Sequence, residues 1–106
     1  MIVDNTLLAG ETTDPQGKRV VLLDVVWRGK IIRDHPEIDR YLAAVLQAVS
    51  MPDHVVPDPG IEDRRRYYAC CAGPSQWLLV VVSYEQSPAR IVSAFANRKD
   101  PRSWSM

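Results

Sequence analysis

Residues 64–96, which read RRRYYACCAGPSQWLLVVVSYEQSPARIVSAFA, contain the strongest strand signals of the chain. They contain three strand-like runs, separated by Gly73-Pro74-Ser75 and by residues 85–88. Runs rich in Val, Ile, Tyr and Phe between Gly, Pro and Ser clusters are typical of strands joined by turns. We therefore predict an antiparallel meander with strands over residues 64–72, 76–84 and 90–96. The middle strand is apolar on both faces, which predicts an interior position in the sheet.

A helical pattern precedes the meander and begins at Asp34-His35-Pro36-Glu37. Either Asp34 caps the helix, with Glu37 completing a capping box, or His35 caps it and Pro36 takes the first helical position. Apolar side chains then recur at the spacing of one helical face, and Ser50-Met51-Pro52-Asp53 ends the pattern. The residues of that face are Ile38, Leu42, Val45, Leu46 and Val49.

The remaining segments are predicted from composition. Residues 1–18 are expected to form a loose arm or an edge strand, and residues 97–106 a polar tail. Short strands are predicted over residues 18–27, 30–32 and 54–56, with a tight turn or bulge at Arg28-Gly29. The 106 residues thus predict a single α+β domain, in which one main helix packs on a four- to five-stranded antiparallel sheet.

The composition excludes several classes of protein. With 46% apolar and 25% charged residues, the chain is typical of soluble globular domains. Its longest apolar run, residues 77–82, is much shorter than the roughly 20 residues that cross a bilayer. The N-terminus has neither the cationic segment nor the apolar core of a secretory signal. We therefore expect a cytoplasmic protein that makes no use of a membrane.

The two cysteines, Cys70 and Cys71, are adjacent in a predicted strand. Neighbouring strand residues point to opposite faces, so a disulfide between these two would be strained. No further Cys or His pair stands at zinc-ligand spacing, and no cofactor or metal is expected. We expect both cysteines to be reduced and to fill space.

The net charge of zero conceals an asymmetry. Residues 1–63 contain six Lys or Arg and eleven Asp or Glu, whereas residues 64–106 contain seven and two. A basic half can be the footprint of an anionic partner such as nucleic acid. The alternative is that the two halves neutralise each other across the folded surface.

The sharpest polar feature is the run Arg64-Arg65-Arg66-Tyr67-Tyr68. In a strand, Arg66 and Tyr68 share one face with Arg64, while Arg65 and Tyr67 share the other. Arginine binds phosphate oxygens with two parallel hydrogen bonds, and tyrosine stacks on a base or donates a proton. The alternative is a solvated arginine run that leads into a strand.

Alternation in the last strand places Ile91, Ser93 and Phe95 opposite the set Val92, Ala94 and Ala96. The smaller side chains of the second set suit the close approach of a helix. Ser93 is then expected on the other face. Arg98 lies just beyond the strand end.

His35 stands at a helix start, where backbone N–H groups favour an anion. Histidine can act as an acid or a base near neutral pH. It can equally be a capping residue without chemical function, and we expect His54 to be structural. The sequence has no Gly-rich phosphate loop, no Gly-x-Ser-x-Gly elbow and no His-Glu-x-x-His metal helix.

Over residues 24–98, short motifs in this order resemble the small ribonuclease superfamily of barnase, EndoU, colicin-type nucleases and RelE-like toxins. The resemblance is closest to the phage- and mobile-element-borne members. The motifs are Trp27-x-Gly29-Lys30, Asp34-His35-Pro36-Glu37, Pro52-Asp53, Arg66-Tyr67-Tyr68, Gly73-Pro74, Trp77-Leu78-x-Val80-Val81-Val82 and Val92-Ser93-Ala94-Phe95-x-x-Arg98.

The resemblance implies a RelE- or barnase-like fold and a toxin-like endoribonuclease that works without a metal. His35 is then the acid or base, Arg66 and Arg98 hold phosphate, and Tyr68 and Ser93 support them. RNA is the implied substrate, and a cognate inhibitor (an antitoxin or immunity protein) is a further implied partner. The ribosome-directed toxins of this type are strongly basic, whereas this chain is neutral. A catalytically inactive module that binds RNA or protein on the same scaffold is therefore the alternative.

Overall fold

A computed structural model describes residues 7–99 of the chain. They form an α+β structure with one sheet and several short helices. The strands are β1 (Leu8–Thr13), β2 (Arg19–Leu23), β3 (His54–Pro57), β4 (Arg64–Cys70), β5 (Trp77–Ser83) and β6 (Ala89–Asn97). The helical elements are α1 (Asp24–Val26), a π-helical turn (Trp27–Ile31), α2 (Ile32–Asp34), a 3-10 turn (Pro36–Ile38) and α3 (Leu42–Ser50).

The sheet has six strands in the order β1-β2-β6-β5-β4-β3. Neighbours pair antiparallel, except that β2 and β6 run parallel, with Val20 opposite Ala89 and Val21 opposite Arg90. The prediction of four or five purely antiparallel strands is therefore wrong in strand number and in one pairing. The meander itself is confirmed, and β1 is an edge strand, as predicted for part of residues 1–18. Residues 1–6 and most of the predicted polar tail (100–106) lie outside the described residues.

The segment after β2 is helical, so the strand predicted over residues 18–27 is confirmed only over β2. The turn or bulge predicted at Arg28-Gly29 and the strand predicted over residues 30–32 are wrong. The strand ends at Leu23, and α1, the π-helical turn and α2 follow one another without interruption. Trp27 and Ile31 are buried, and side chains four residues apart lie on one side of a helix. Their joint burial in the core stabilises a helix despite the β-prone Val and Ile around them.

The main helix is shorter than predicted and lacks the predicted cap. Its first residue is Leu42, and neither Asp34 nor His35 makes a side-chain capping hydrogen bond. Asp34 belongs to the preceding helix, and His35 leads into the 3-10 turn that Pro36 opens. The predicted apolar face is confirmed, because Ile38, Val45 and Val49 are fully buried. Leu42 and Leu46 are partly buried against the same core.

The sheet buries apolar side chains on both faces. On the helix face, where α3 packs, the core includes Tyr67, Leu78, Val80 and Ala94. On the second face Tyr68, Trp77, Leu79 and Val81 form a separate buried cluster, against which Val56, Cys70, Val92 and Phe95 pack. All seven residues of β5 are buried, so the prediction of an interior strand is confirmed. The predicted split of Tyr67 and Tyr68 between the two faces is also confirmed.

Strand β6 departs from simple alternation. Ile91 pairs with Val82 and Ser93 pairs with Val81, so Val92 is an extra residue in the ladder. Such a bulge shifts the side chains that precede it onto the other face. Ile91 therefore packs in the helix-face core and Val92 in the second cluster, the reverse of the prediction. Ala94 and Phe95 lie on the predicted faces.

Candidate functional site

Three of the five predicted site residues share the second face of the sheet. Arg66 and Ser93 both pair with Val81 of the central strand β5, one from each side, and Tyr68 lies two residues beyond Arg66 on β4. Directly paired residues of antiparallel strands point to the same side, so Ser93 lies on the face of Val81. Two strand spacings, roughly 10 Å, separate the backbones of Arg66 and Ser93.

His35 reaches this face at the β6 side of the sheet. Its ring stacks on Phe95 with the ring centroids 5.1 Å apart and the planes inclined by 26°. Nδ1 of His35 lies 3.6 Å from Oε2 of Glu37, and 35% of the histidine side chain is exposed. The backbone holds the loop in place, because the N–H of His35 donates to the carbonyl of Ile31 at 2.8 Å. One nitrogen of the ring is thus near a carboxylate, while the ring face is fixed against an aromatic side chain.

Arg66 is engaged by a carboxylate. Its Nε donates to Oδ1 of Asp58 at 2.9 Å, and Oδ2 of Asp58 accepts the N–H groups of Gly60 and Ile61 at 3.0 and 2.9 Å. The hydrogen bond from Arg66, together with those two N–H groups, lowers the pKa of Asp58. Partial burial acts to lower the pKa of Arg66, but Asp58 and Tyr68 outweigh it and the pKa is raised. This guanidinium is therefore firmly charged and already paired.

The other predicted residues differ in accessibility. Tyr68 is fully buried and Ser93 is partly buried, whereas Arg98, just after the end of β6, is exposed. His54 is partly buried beside the ring of Tyr68, with centroids 6.0 Å apart, which suits the expected structural role. Arg98 is thus the most accessible of the predicted residues, and the partly exposed His35 is also within reach of a macromolecular ligand.

Two further features of the His35 surface were not predicted. Nζ of Lys30 donates to the carbonyl of Val92 at 2.8 Å, which ties the π-helical turn to the bulge of β6. Glu37 lies beside the imidazole, although the sequence suggested it only as a helix cap. The sequence did contain a signal for this contact, because Glu37 follows His35 by two residues. For Lys30 no signal existed, because the residue was assigned to a strand.

A second polar cluster lies where β5 ends. The hydroxyl of Tyr84 donates to Oδ2 of Asp14 at 2.8 Å and accepts from Tyr67, whose ring is in the helix-face core. Lys18 and Arg65 approach the Tyr84 ring at 5.7 and 5.3 Å from its centroid. Two clefts of about 420 and 500 Å³ adjoin this cluster. Both are lined by Lys18 and Tyr84, and neither was predicted as a site.

Burial opposes the charge of Asp14, but hydrogen bonds from the Lys18 and Gln16 N–H groups and from Tyr84 outweigh it and lower the pKa of Asp14. Burial, together with the bonds to Tyr67 and Asp14, strongly raises the pKa of Tyr84. The cluster therefore joins a neutral Tyr84 to an ionised Asp14, a structural arrangement that fixes the turn before β2.

Comparison with known proteins does not assign the chain to a family: no family model, no curated protein and no solved structure matches it. Among residues 7–99, no helix is long and apolar enough to span a membrane.

Proposed function

We propose that this chain is a metal-independent endoribonuclease of the small toxin type, with His35 as the residue that moves the proton. The observation that supports this most is how the imidazole is held, stacked on Phe95 and with Nδ1 facing Glu37. In this proposal Phe95 and Glu37 fix the orientation of the ring, and Nε2 is the nitrogen that faces the substrate. Nε2 would take the proton of a ribose 2′-hydroxyl, or give one to the 5′ oxygen that leaves.

In this proposal the charge on the phosphate is balanced from the end of β6. Arg98 is exposed there, three residues after the Phe95 that supports the imidazole. Positive charge near the phosphate oxygens stabilises the transition state of this reaction. Ser93 lies two residues before Phe95 on the same strand, where its hydroxyl would support the substrate.

Arg66 and Tyr68 take a different role from the one implied by the family resemblance. Arg66 is paired with Asp58, and Tyr68 is fully buried. We propose that they fix the strand under the site and do not contact the phosphate. The four antiparallel strands β6-β5-β4-β3 with α3 on one face are the part of the fold in which we propose a RelE- or barnase-like relationship.

The same proposal sets the partners. The protein would act on RNA in the cytoplasm, without a membrane, and a cognate inhibitor protein would cover the surface around His35 and Arg98. An inhibitor that neutralises this surface would need acidic side chains opposite Arg98 and Lys99, both of which are exposed.

A catalytically inactive module that binds RNA or protein is the second candidate. The Arg66–Asp58 pair favours it, since that pair removes one of the phosphate-binding groups that the family resemblance implies. Both candidates use the same exposed surface. They differ in whether His35 performs chemistry there.

The deciding experiment incubates the purified protein with mixed RNA in EDTA, beside His35→Ala, Glu37→Gln and the control His54→Ala. Loss of the acid–base residue should reduce cleavage by about 10²–10⁴-fold. Glu37→Gln should reduce it by less, because it disturbs only the orientation of the imidazole. His54→Ala should cleave like the wild type. Undiminished cleavage by His35→Ala would remove that residue from the mechanism.

If the wild type cleaves no RNA, a binding measurement at low salt separates the remaining possibilities. Binding without cleavage supports the inactive RNA-binding module. Absence of binding as well would leave a protein partner as the ligand of this surface.

A further inference from the structure

Strand β4 ends at Cys70, and the sulfur atom of Cys70 contacts that of Cys71, the next residue. Sγ of Cys70 lies 3.0 Å from Sγ of Cys71, and both residues are reduced. Alternation along a strand predicted these two side chains on opposite faces, and that prediction is wrong. Cys71 instead has a positive φ of 61°, which turns its side chain back toward Cys70.

Hydrogen bonds hold this turn on both sides. The N–H of Cys70 donates to Oδ2 of Asp53 at 2.7 Å, and the N–H of Cys71 donates to the carbonyl of Gln76 at 2.7 Å. A residue other than glycine is disfavoured in the left-handed region and persists there only where its surroundings impose it. The surrounding structure therefore brings the two thiols together before any reagent arrives.

The pair is accessible to small molecules. Cys71 is exposed and Cys70 is partly buried. They line a cleft of about 300 Å³ between the end of β4 and the C-terminal half of α3, with Gln47 and Met51 on its helical side. Because Cys71 is exposed and Cys70 is partly buried, a dissolved disulfide reaches Cys71 first.

We propose that Cys70 and Cys71 are a modification site that forms a reversible disulfide with each other, by exchange with a small-molecule disulfide. The thiolate of Cys71 attacks one sulfur of the reagent, forms a mixed disulfide and releases the first thiolate. Cys70 then loses its proton and attacks the Cys71 sulfur, which releases the second thiolate. The protein gives up two electrons and two protons, and the reagent becomes two thiols.

Geometry explains why the disulfide would be reversible. Consecutive Cα atoms joined by a trans peptide are about 3.8 Å apart, less than the usual range of roughly 4.4–6.8 Å in disulfides. A bond formed under such strain is reduced more readily, and strained or exposed disulfides belong to the labile class. Among residues 7–99 no group of three His, Cys, Asp or Glu side chains could hold a metal ion, which favours exchange chemistry over metal binding at the pair.

The test treats the reduced full chain with oxidised glutathione, quenches it with N-ethylmaleimide and measures the intact mass and the peptide that contains both cysteines. The wild type should lose two hydrogens and resist alkylation, and excess reduced glutathione should restore two alkylatable thiols. Cys70→Ser and Cys71→Ser, which cannot form the internal bond, should instead accumulate the mixed disulfide.

Three results would overturn the proposal. These are a wild type that keeps two alkylatable thiols, one that stops at a stable mixed disulfide, and one that forms disulfides between chains. The test does not depend on the proposed ribonuclease activity, because it reads out mass alone.

Discussion

Tyr84 donates a 2.8 Å hydrogen bond to Oδ2 of Asp14, and so joins the end of β5 to the turn between β1 and β2. Oδ1 of the same carboxylate accepts the N–H groups of Gln16 and Lys18 at 2.9 and 2.8 Å. Tyr84 has a single hydroxyl proton, which goes to Asp14, so the hydroxyl of Tyr67 is the donor to Tyr84. One chain of hydrogen bonds therefore runs from the core to the β1–β2 hairpin.

We predict that Tyr84→Phe lowers the free energy of unfolding by about 1–3 kcal/mol, because it leaves a buried acceptor on Asp14 without its donor. Urea unfolding measures this change. Tyr41→Phe is the matched control, since no hydrogen bond involves the Tyr41 hydroxyl within residues 7–99. Equal stability of Tyr84→Phe and the wild type would show that the hydrogen-bond chain contributes nothing.

Stability should fall at alkaline pH because of the same residue. Burial, with the bonds to Tyr67 and Asp14, raises the pKa of Tyr84 in the folded protein. Above the unfolded value of about 10, the unfolded chain loses a proton that the folded chain keeps, so the unfolding free energy decreases as pH rises. Urea midpoints on either side of that pH should show the fall. The unfolding free energy of Tyr84→Phe should decrease less steeply with pH than that of the wild type. An equally steep decrease in both proteins would contradict this account.

Acid should weaken the loop before β4. The hydrogen bond from Arg66, with two backbone N–H groups, lowers the pKa of Asp58 when folded. The ionised Asp58 carboxylate contributes its full share to the free energy of unfolding above the unfolded pKa of about 3.9. That contribution is lost as the pH falls through the lower pKa that Asp58 has in the folded protein. Asp58→Asn should therefore reduce the loss of stability in that pH range. Asp39→Asn, at an exposed position, should behave like the wild type.

Ile38 anchors the approach to α3, and its side chain is fully buried. Replacement with alanine should cost about 2–5 kcal/mol, because the change leaves a cavity in the core. Ile61→Ala makes the same chemical change at a side chain that is 42% exposed, and should stay within about 0.5 kcal/mol of the wild type. Comparable losses in the two variants would place Ile38 outside the core.

If RNA binds at the end of β6, its affinity should fall steeply with salt. Each phosphate contact contributes about −0.7 to the slope of log affinity against log salt for a single strand. Arg98→Gln should make the slope shallower by about that amount. Arg19→Gln removes the same charge from the β1–β2 hairpin, where Arg19 pairs with Glu11, and should leave the slope unchanged. An identical slope in both variants would show that RNA binds at a surface other than the end of β6.

The meander could be predicted from the sequence because each of its strands is marked locally. The apolar run of β5 is buried on both faces. Strand β4 has no bulge, so the alternation of side chains between the two faces correctly separates Tyr67 from Tyr68. The same alternation gives the wrong result at Val92, because one extra residue there moves the preceding side chains of β6 to the opposite face. The strand prediction at Trp27 and Ile31 is wrong for another reason. Apolar residues four apart in a Val-rich segment fit either a strand or a helix, and only the core decides between them.

The candidate site was predictable only in part. Alternation in a strand pairs Arg66 with Tyr68 and turns Ser93 away from the helix, but the shared face of Arg66 and Ser93 follows only from the register with Val81. The residues that contact Arg66 and His35 are distant in the sequence or lie in loops. The carboxylate of Asp58 reaches Arg66 from a Pro- and Gly-rich loop, and Phe95 meets His35 from the last strand. Contacts of this kind depend on tertiary packing, which residue spacing does not encode.

The parallel pairing of β2 with β6 has a consequence for synthesis on the ribosome. The β1–β2 hairpin emerges before the other described strands, yet the strand that it joins, β6, is the last of them. Until β6 has emerged, the hairpin exposes an unpaired edge, the kind of surface that recruits other chains. We expect the hairpin to dock late in folding and a chaperone that shields strand edges to raise the yield of native protein.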